Sequence, residues 1–308
     1  MNREIKLRQL PIELLEPQKE PDEGKRWSYS FVYFLEDLRN IYRLYDECEI
    51  DSIPSLYQKC SEKGIRSWSG KTWNQRNLLE QVNALKNFKL MSVDDNKVIS
   101  KGLFSNTKPE DHLSNVEKEV FREVYLNYFR FREFHQLFSN SNIVGYYIDG
   151  GRFTNRFLLE IEEPSQIVGI GDEHADMMRF WDVFLKWGQS LGMLKKYSLK
   201  PFGVSTLPIV KGLSIAYFYQ EMPNDFSVFE YISTEMQGTY HYIPDVIYSI
   251  ICDKHYSVES IIDRIVAENA EKTDKYRAQT TSAIFVNGKE DFLFPRIGNT
   301  YITHLLKL

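Results

Sequence analysis

Cysteine is scarce in this chain of 308 residues: Cys48, Cys60 and Cys252 are too few and too scattered for a disulfide framework or a zinc knuckle. A reducing, cytoplasmic setting is the expectation. Long apolar runs are missing too. None approaches the ~18 residues of a membrane-spanning helix, and Met1-Asn2-Arg3-Glu4-Ile5-Lys6 leads into a Pro- and Glu-containing stretch without the apolar core of a secretion signal. Neither secretion nor membrane spanning is expected. The chain also lacks positive charge as a whole. Its formal balance is -5, so any contact with nucleic acid has to come from a local patch. No Gly-x-x-x-x-Gly-Lys-Ser/Thr loop occurs, and Gly169-Ile170-Gly171 lacks the third glycine of a dinucleotide site, which disfavours nucleotide binding.

Catalytic groupings are equally thin. The histidines His112, His135, His174, His241, His255 and His304 are dispersed, and none stands beside a recognisable serine or cysteine nucleophile. Asp172-Glu173-His174-Ala175-Asp176 has metal-ligand types, but adjacent helical residues do not all face one ion, and acids are favoured at a helix start by the macrodipole. Pro21-Asp22-Glu23-Gly24-Lys25 has nuclease-like residue types, yet it lies in a proline-rich linker with no strand to hold two carboxylates at one metal. The expectation is a protein that is not an enzyme and carries no cofactor and no metal.

What the chain does contain is core material. Hydrophobic residues make up 43% and aromatics 14%, enough for packed interiors, and the length suggests two or three domains. Residues 1–30, with Pro11, Pro17 and Pro21, read as an arm or short strand followed by a linker. A first domain over 31–105 begins with an amphipathic helix. Phe31, Phe34, Leu35, Leu38, Ile41, Tyr42 and Tyr45 form its inner face, with Glu36, Asp37, Arg39 and Arg43 outside. A second short helix follows Asp51-Ser52-Ile53-Pro54 and stops at Gly64. A third, with Thr72 as the expected N-cap, carries Leu78, Leu79, Val82, Leu85 and Phe88. Two β-branched runs around Asp94-Asp95-Asn96 predict a hairpin.

The region 112–222 reads as a middle helical domain or a winged helix with a degraded pattern. Val116, Val120, Phe121, Val124, Tyr128, Phe131 and Phe138 trace one helix, and 172–191 another. The aromatic stripe is expected to be core. Residues 143–161 fit either a hairpin or a helix. Over 223–308 the helix and hairpin order recurs, with helices around 226–236, 243–252 and 257–266, a further helix over 272–286, and a wing closing at 300–306. The expected class is α+β, predominantly α.

Charge is concentrated in one place. Between 54 and 101 nine Lys or Arg stand against four acids, a local +5. Lys63, Arg66, Lys71, Thr72, Asn74, Gln75 and Arg76 surround the start of the third helix, where Arg, Asn and Gln offer donors and acceptors suited to base edges, and the cations would neutralise phosphates. A solvated polar helix start is the plainer alternative. Lys275, Arg277 and Gln279 form a weaker counterpart, since 271–308 holds six basic residues against four acidic ones.

Three helices followed by a two-stranded ribbon resemble the winged helix-turn-helix superfamily, over 31–103 and less clearly over 224–308. Tandem units of this kind are similar to the recognition halves of type IIS restriction enzymes and to accessory subunits of prokaryotic anti-phage (antiviral defence) systems. The resemblance is one of fold, without a diagnostic motif. It implies a subunit that binds double-stranded DNA, in defence or in regulation. The alternative is a protein-binding scaffold holding a separate nuclease or ATPase through aromatic surfaces and the acidic region around Glu160, Glu162 and Glu163.

Overall fold

A computed structural model of the chain describes residues 6–9, 32–104, 107–128, 131–132, 135, 145–148, 156–160, 166–169, 175–198, 213–271, 276–280, 293–297 and 300–308. The class is α+β, with eight helices and two sheets among the described residues, none of the helices long and apolar enough to cross a membrane. Contacts group the chain into two discontinuous units rather than consecutive blocks. A helical unit draws on 10–137 and 171–194, and a sheet unit on 1–9, 138–170 and 195–308.

The helical unit contains α1 (Leu35–Glu47), α2 (Ile53–Glu62), α3 (Gln75–Asn87), α4 (Asn115–Asn127) and α5 (Ala175–Ser190). Ser52 starts α2 by accepting the Ser55 N–H at 3.3 Å, and Pro54 sits in the first turn, where its missing N–H leaves nothing unpaired. The cap of α3 is Asn74 rather than Thr72: its side-chain oxygen accepts the Asn77 N–H at 2.8 Å. A full capping box, Ser114 with Glu117, opens α4. The expected hairpin after α3 is reduced to a single bridge, Met91 with Val98, closed by Ser92 N–H donating to the Lys97 carbonyl at 2.8 Å. The aromatic stripe is interior: Phe121 is buried and stacks on Phe104, and the buried Tyr125, Tyr128 and Phe131 pack with Phe88, Phe184 and Trp187, Phe88 lying 5.2 Å from Trp187 by ring centroids. Helix α4 stops at Asn127, with Tyr128 extended, so the stripe is not one continuous helix. Phe138 lies outside the described residues.

One expectation reverses. Glu36, Asp37 and Arg39 of α1, assigned to the solvent side, are 5%, 3% and 0% exposed. Two connections fold over that side and bring backbone partners: the Trp68 N–H donates to Asp37 Oδ1 at 2.7 Å, and Arg39 donates to the carbonyls of Lys108, Pro109 and Asp111 at 2.9–3.1 Å. Arg39 also donates to Asn40 Oδ1 and lies 3.6 Å from Glu117, which in turn holds Ser114 N–H and Thr107 Oγ1.

In the sheet unit, β1 (Lys6–Gln9), β2 (Gly145–Ile148), β3 (Arg156–Glu160), β4 (Gln166–Gly169), β5 (Leu194–Ser198) and β6 (Leu213–Phe218) form a mixed sheet in the order β1-β4-β3-β2-β6-β5. Pair β1–β4 is parallel, while β4–β3, β3–β2 and β2–β6 are antiparallel, and β2–β3 runs from Gly145 opposite Leu159 to Ile148 opposite Arg156. Within the stretch 143–161, residues 145–148 and 156–160 are thus paired antiparallel strands, and strands β2 to β6 accompany helices α4 and α5 in the region 112–222. These strands are only four to six residues long, too short for an alternating pattern to stand out.

The C-terminal part of this unit runs α6 (Val228–Glu235), β7 (Tyr240–Tyr242), α7 (Ile243–Lys254), α8 (Val258–Ala270), β8 (Tyr276–Thr280), β9 (Arg296–Ile297) and β10 (Thr300–Lys307). Its sheet order is β7-β10-β8, all antiparallel, with β9 paired to β10. The helix expected over 272–286 is corrected to a strand at Tyr276–Thr280; the residues on either side lie outside the description. Ile215, Tyr217, Val228, Ile232, Ile247, Ile251, Ile261, Ile265 and Leu305 share one core, so β6 and the C-terminal helices bury their apolar faces together.

Candidate nucleic-acid interface

The connection between α2 and α3 is a compact loop on an anchored base. Gly64 and Gly70 adopt φ of 66° and 79°, a left-handed backbone that side chains disfavour. Ser67 N–H donates to the Lys71 carbonyl at 3.0 Å, and Gly70 N–H to the Ser67 carbonyl at 2.7 Å. Trp68 is held at its backbone by Asp37 and at its ring by an edge contact with His112, 4.9 Å between centroids; Trp73 is buried. Two aromatic anchors therefore fix a segment whose charged side chains face water.

Arg66, Lys71, Thr72, Asn74, Gln75 and Arg76 are all exposed along this loop and the first turn of α3. They are not equivalent. Arg66 and Lys71 make no ion pair among the described residues. Lys63 is paired with Glu47 at 2.9 Å, an exposed contact of small stabilising value that reduces its availability to a phosphate. Asn74 commits its carbonyl oxygen to capping, leaving its amide N–H groups. Arg76 lies close enough to Glu80 to favour that carboxylate's charged form, although burial dominates and raises the Glu80 pKa.

The second predicted group belongs to the other unit. Lys275 lies outside the described residues. Arg277 is exposed and Gln279 half-buried, both on strand β8 instead of a helix. The third helix of that unit, α8, is acidic: Glu259 and Asp263 are exposed, Glu268 is buried, and its Arg264 is committed to the carbonyls of Asn224 and Pro223 at 2.8 and 3.3 Å. An open cleft of about 640 Å³ lies beside it, lined by Lys195, Tyr219, Glu221, Ser260 and Asp263 among others. Lys195 is engaged there, 3.5 Å from Glu259 and 5.6 Å over the Tyr219 ring.

No three His, Cys, Asp or Glu side chains are placed to hold a metal among the described residues. Residues 172–174, 21–25 and 162–163 lie outside the description, as do two members of Gly169-Ile170-Gly171.

Sequence reasoning missed the buried polar hub beneath the loop. Periodicity identified the polar side of α1, but not that two loops cover it. The hub has an electrostatic consequence: burial, partly offset by the Trp68 N–H and reinforced by the neighbouring Glu36, raises the Asp37 pKa to about 7. The folded state then binds a proton that the unfolded chain has released, so stability is fully present below about pH 4 and is lost as pH rises through about 7. Asp37→Asn keeps an acceptor for Trp68 and removes the titration. Its stability relative to the parent is expected to rise across that window, by about 1.4 kcal/mol for each step of one in pH. Urea unfolding at several pH values checks this; parallel curves for parent and variant would refute it.

No protein-family model, curated protein or solved structure matches the chain.

Proposed function

We propose that this chain is a non-catalytic subunit that binds double-stranded DNA through the loop before α3 and the first turn of that helix. The supporting observation is the arrangement of Arg66 and Lys71, exposed and without ion pairs among the described residues, on a loop fixed by Asp37 and Trp68. Helices α2 and α3 serve as a helix-turn-helix, with Gln75, Arg76 and the Asn74 amide at base edges and Arg66, Lys71 and Lys63 at phosphates. The C-terminal part is assigned as a winged helix. Its order, helix, strand, helix, helix, strand, strand, and its sheet order β7-β10-β8 support that assignment.

A defence or restriction-type assembly, or a regulator, is the setting proposed from the fold resemblance. A second reading is favoured by one observation. Helix α8, which a DNA-reading winged helix would place in the major groove, exposes Glu259 and Asp263, so the C-terminal winged helix would serve a protein partner such as a nuclease or ATPase subunit.

The test is fluorescence anisotropy of a labelled duplex titrated with the parent and with an Arg66→Ala/Lys71→Ala/Arg76→Ala variant. Affinity is expected to fall about tenfold or more in the variant. Equal binding by both proteins would remove the DNA surface from this loop. No duplex binding, together with a stable protein complex, would replace the DNA reading by the scaffold.

A further inference from the structure

We propose that the outer face of the C-terminal sheet is a stacking surface for single-stranded nucleic acid. Strand pairing determines which side chains share that face. His304 lies opposite Tyr242 on one side and Gln279 on the other, Leu306 lies opposite Tyr240 and Arg277, and Tyr301 lies opposite Arg296. Directly paired residues, and those two apart along a strand, point to the same side of a sheet. The alternate residues His241, Ile302 and Leu305 are buried, so they make the inner face, and the bulge between Ile302 and His304 keeps Tyr301 and His304 together on the outer one.

Of the aromatic residues on this face Tyr240 is exposed, while Tyr242, Tyr301 and His304 are half-buried, Tyr242 and Tyr301 also packing against the core. Tyr240 is 52% exposed and stacks on His304, with centroids 4.4 Å apart and planes inclined by 20°; Tyr242 lies 5.1 Å from the same imidazole. At the other end Arg296 sits 5.5 Å above Tyr301. Burial, partly offset by the nearby Asp245 carboxylate, lowers the His304 pKa, which favours the uncharged ring as a flat π surface. From Tyr301 to Leu306 the strip runs roughly 17 Å, at about 3.3 Å per residue, a length suited to the two or three bases that such a sheet can stack.

Charge selects the occupant. Strands β7 to β10 carry Arg277, Arg296 and Lys307 and no Asp or Glu, in a chain whose acids outnumber Lys and Arg by 43 to 38. Aromatic rings for bases, an amide at Gln279 for base edges, and arginines at both ends for phosphates match an unpaired strand; a duplex keeps its base faces stacked on one another. This inference does not rest on the duplex reading, which concerns the helical unit.

The experiment uses the full chain carrying the Arg66→Ala/Lys71→Ala/Arg76→Ala substitutions, so that the helical unit's contacts are removed. Fluorescein-labelled oligothymidine and oligouridine of about fifteen nucleotides, and a duplex of the same length, are titrated at low salt. Either single strand is expected to bind more tightly than the duplex, the better of the two identifying DNA or RNA. Tyr240→Ala with His304→Ala is expected to weaken binding about tenfold or more, while Tyr240→Phe, which keeps the ring, stays within about twofold. An oligonucleotide containing 2-aminopurine is expected to lose fluorescence on binding the Tyr240 protein and not the alanine variant. Because Tyr240 and His304 are outside the buried core, melting temperatures are expected to match, which separates lost binding from lost folding. No binding of either single strand, or undiminished binding by the double alanine variant, overturns the proposal; a protein partner protecting this face, without nucleic-acid affinity, does so as well.

Discussion

Arg39→Ala is expected to lower the unfolding free energy of the helical unit by about 3–5 kcal/mol, because it breaks a buried ionic network by removing one partner. The guanidinium is fully buried, and its nitrogens serve Asn40 Oδ1, three backbone carbonyls of 108–111 and the Glu117 carboxylate. Alanine leaves the Lys108 and Asp111 carbonyls facing a cavity and removes the cation beside Glu117, which keeps the Ser114 and Thr107 donors, while the Pro109 carbonyl keeps the Asn40 amide. Lysine is expected to recover little. A single ammonium cannot span acceptors that the flat, forked guanidinium reaches at once. The check is urea unfolding followed by tryptophan fluorescence, with the midpoint moving and the denaturant slope unchanged. A loss under about 1 kcal/mol would mean that water satisfies these groups and that the loop over α1 is not fastened there.

Glu268→Gln is the second large effect, about 2–3 kcal/mol in the sheet unit. Glu268 reaches from α8 to the start of α6, where its carboxylate accepts the N–H groups of Val228 and Phe229 at 2.8 and 2.9 Å and the Ser227 hydroxyl at 3.2 Å. Those N–H groups belong to the first turn, which has no partner within its own helix, and the negative charge complements the positive end of the helix dipole. Glutamine keeps one acceptor oxygen but turns its amide donors toward other donors. The comparison that isolates the charge is Glu268→Gln against Ser227→Ala, the latter expected to cost about 1 kcal/mol as an ordinary cap. Equal, small effects would show that the contact is incidental.

The parts of the fold legible in the sequence are those governed by local rules. Ser52-Ile53-Pro54 and Ser257 mark helix starts through caps whose hydrogen bonds are present, at 3.3 and 3.1 Å. The aromatic stripe of α4 and the apolar periodicity of α1, α3 and α7 identify buried faces, except that Leu79, expected on the inner side of α3, is 44% exposed. What escaped depends on distant partners. Strand β1 pairs with β4 across more than 150 residues, and no four-residue segment announces such a partner. Residues 276–280, Tyr-Arg-Ala-Gln-Thr, look helical or polar in isolation and become a strand because β10 supplies the ladder. The chemistry of Arg277 and Gln279 is legible from their types, while the element that carries them is not. The burial of Glu36, Asp37 and Arg39 is hidden for a related reason, since amphipathicity marks a polar face without revealing that loops will cover it. The basic stretch before α3 needs only local charge counting, and its residues are exposed.

The central claim, that Arg66, Lys71 and Lys63 meet phosphates of a duplex, is tested most directly by the salt dependence of binding by the unmodified chain. A plot of log affinity against log salt is expected to be linear with a slope of about -3 or steeper, each neutralised phosphate contributing about -0.9. A flat plot, or no duplex binding at low salt, would contradict it.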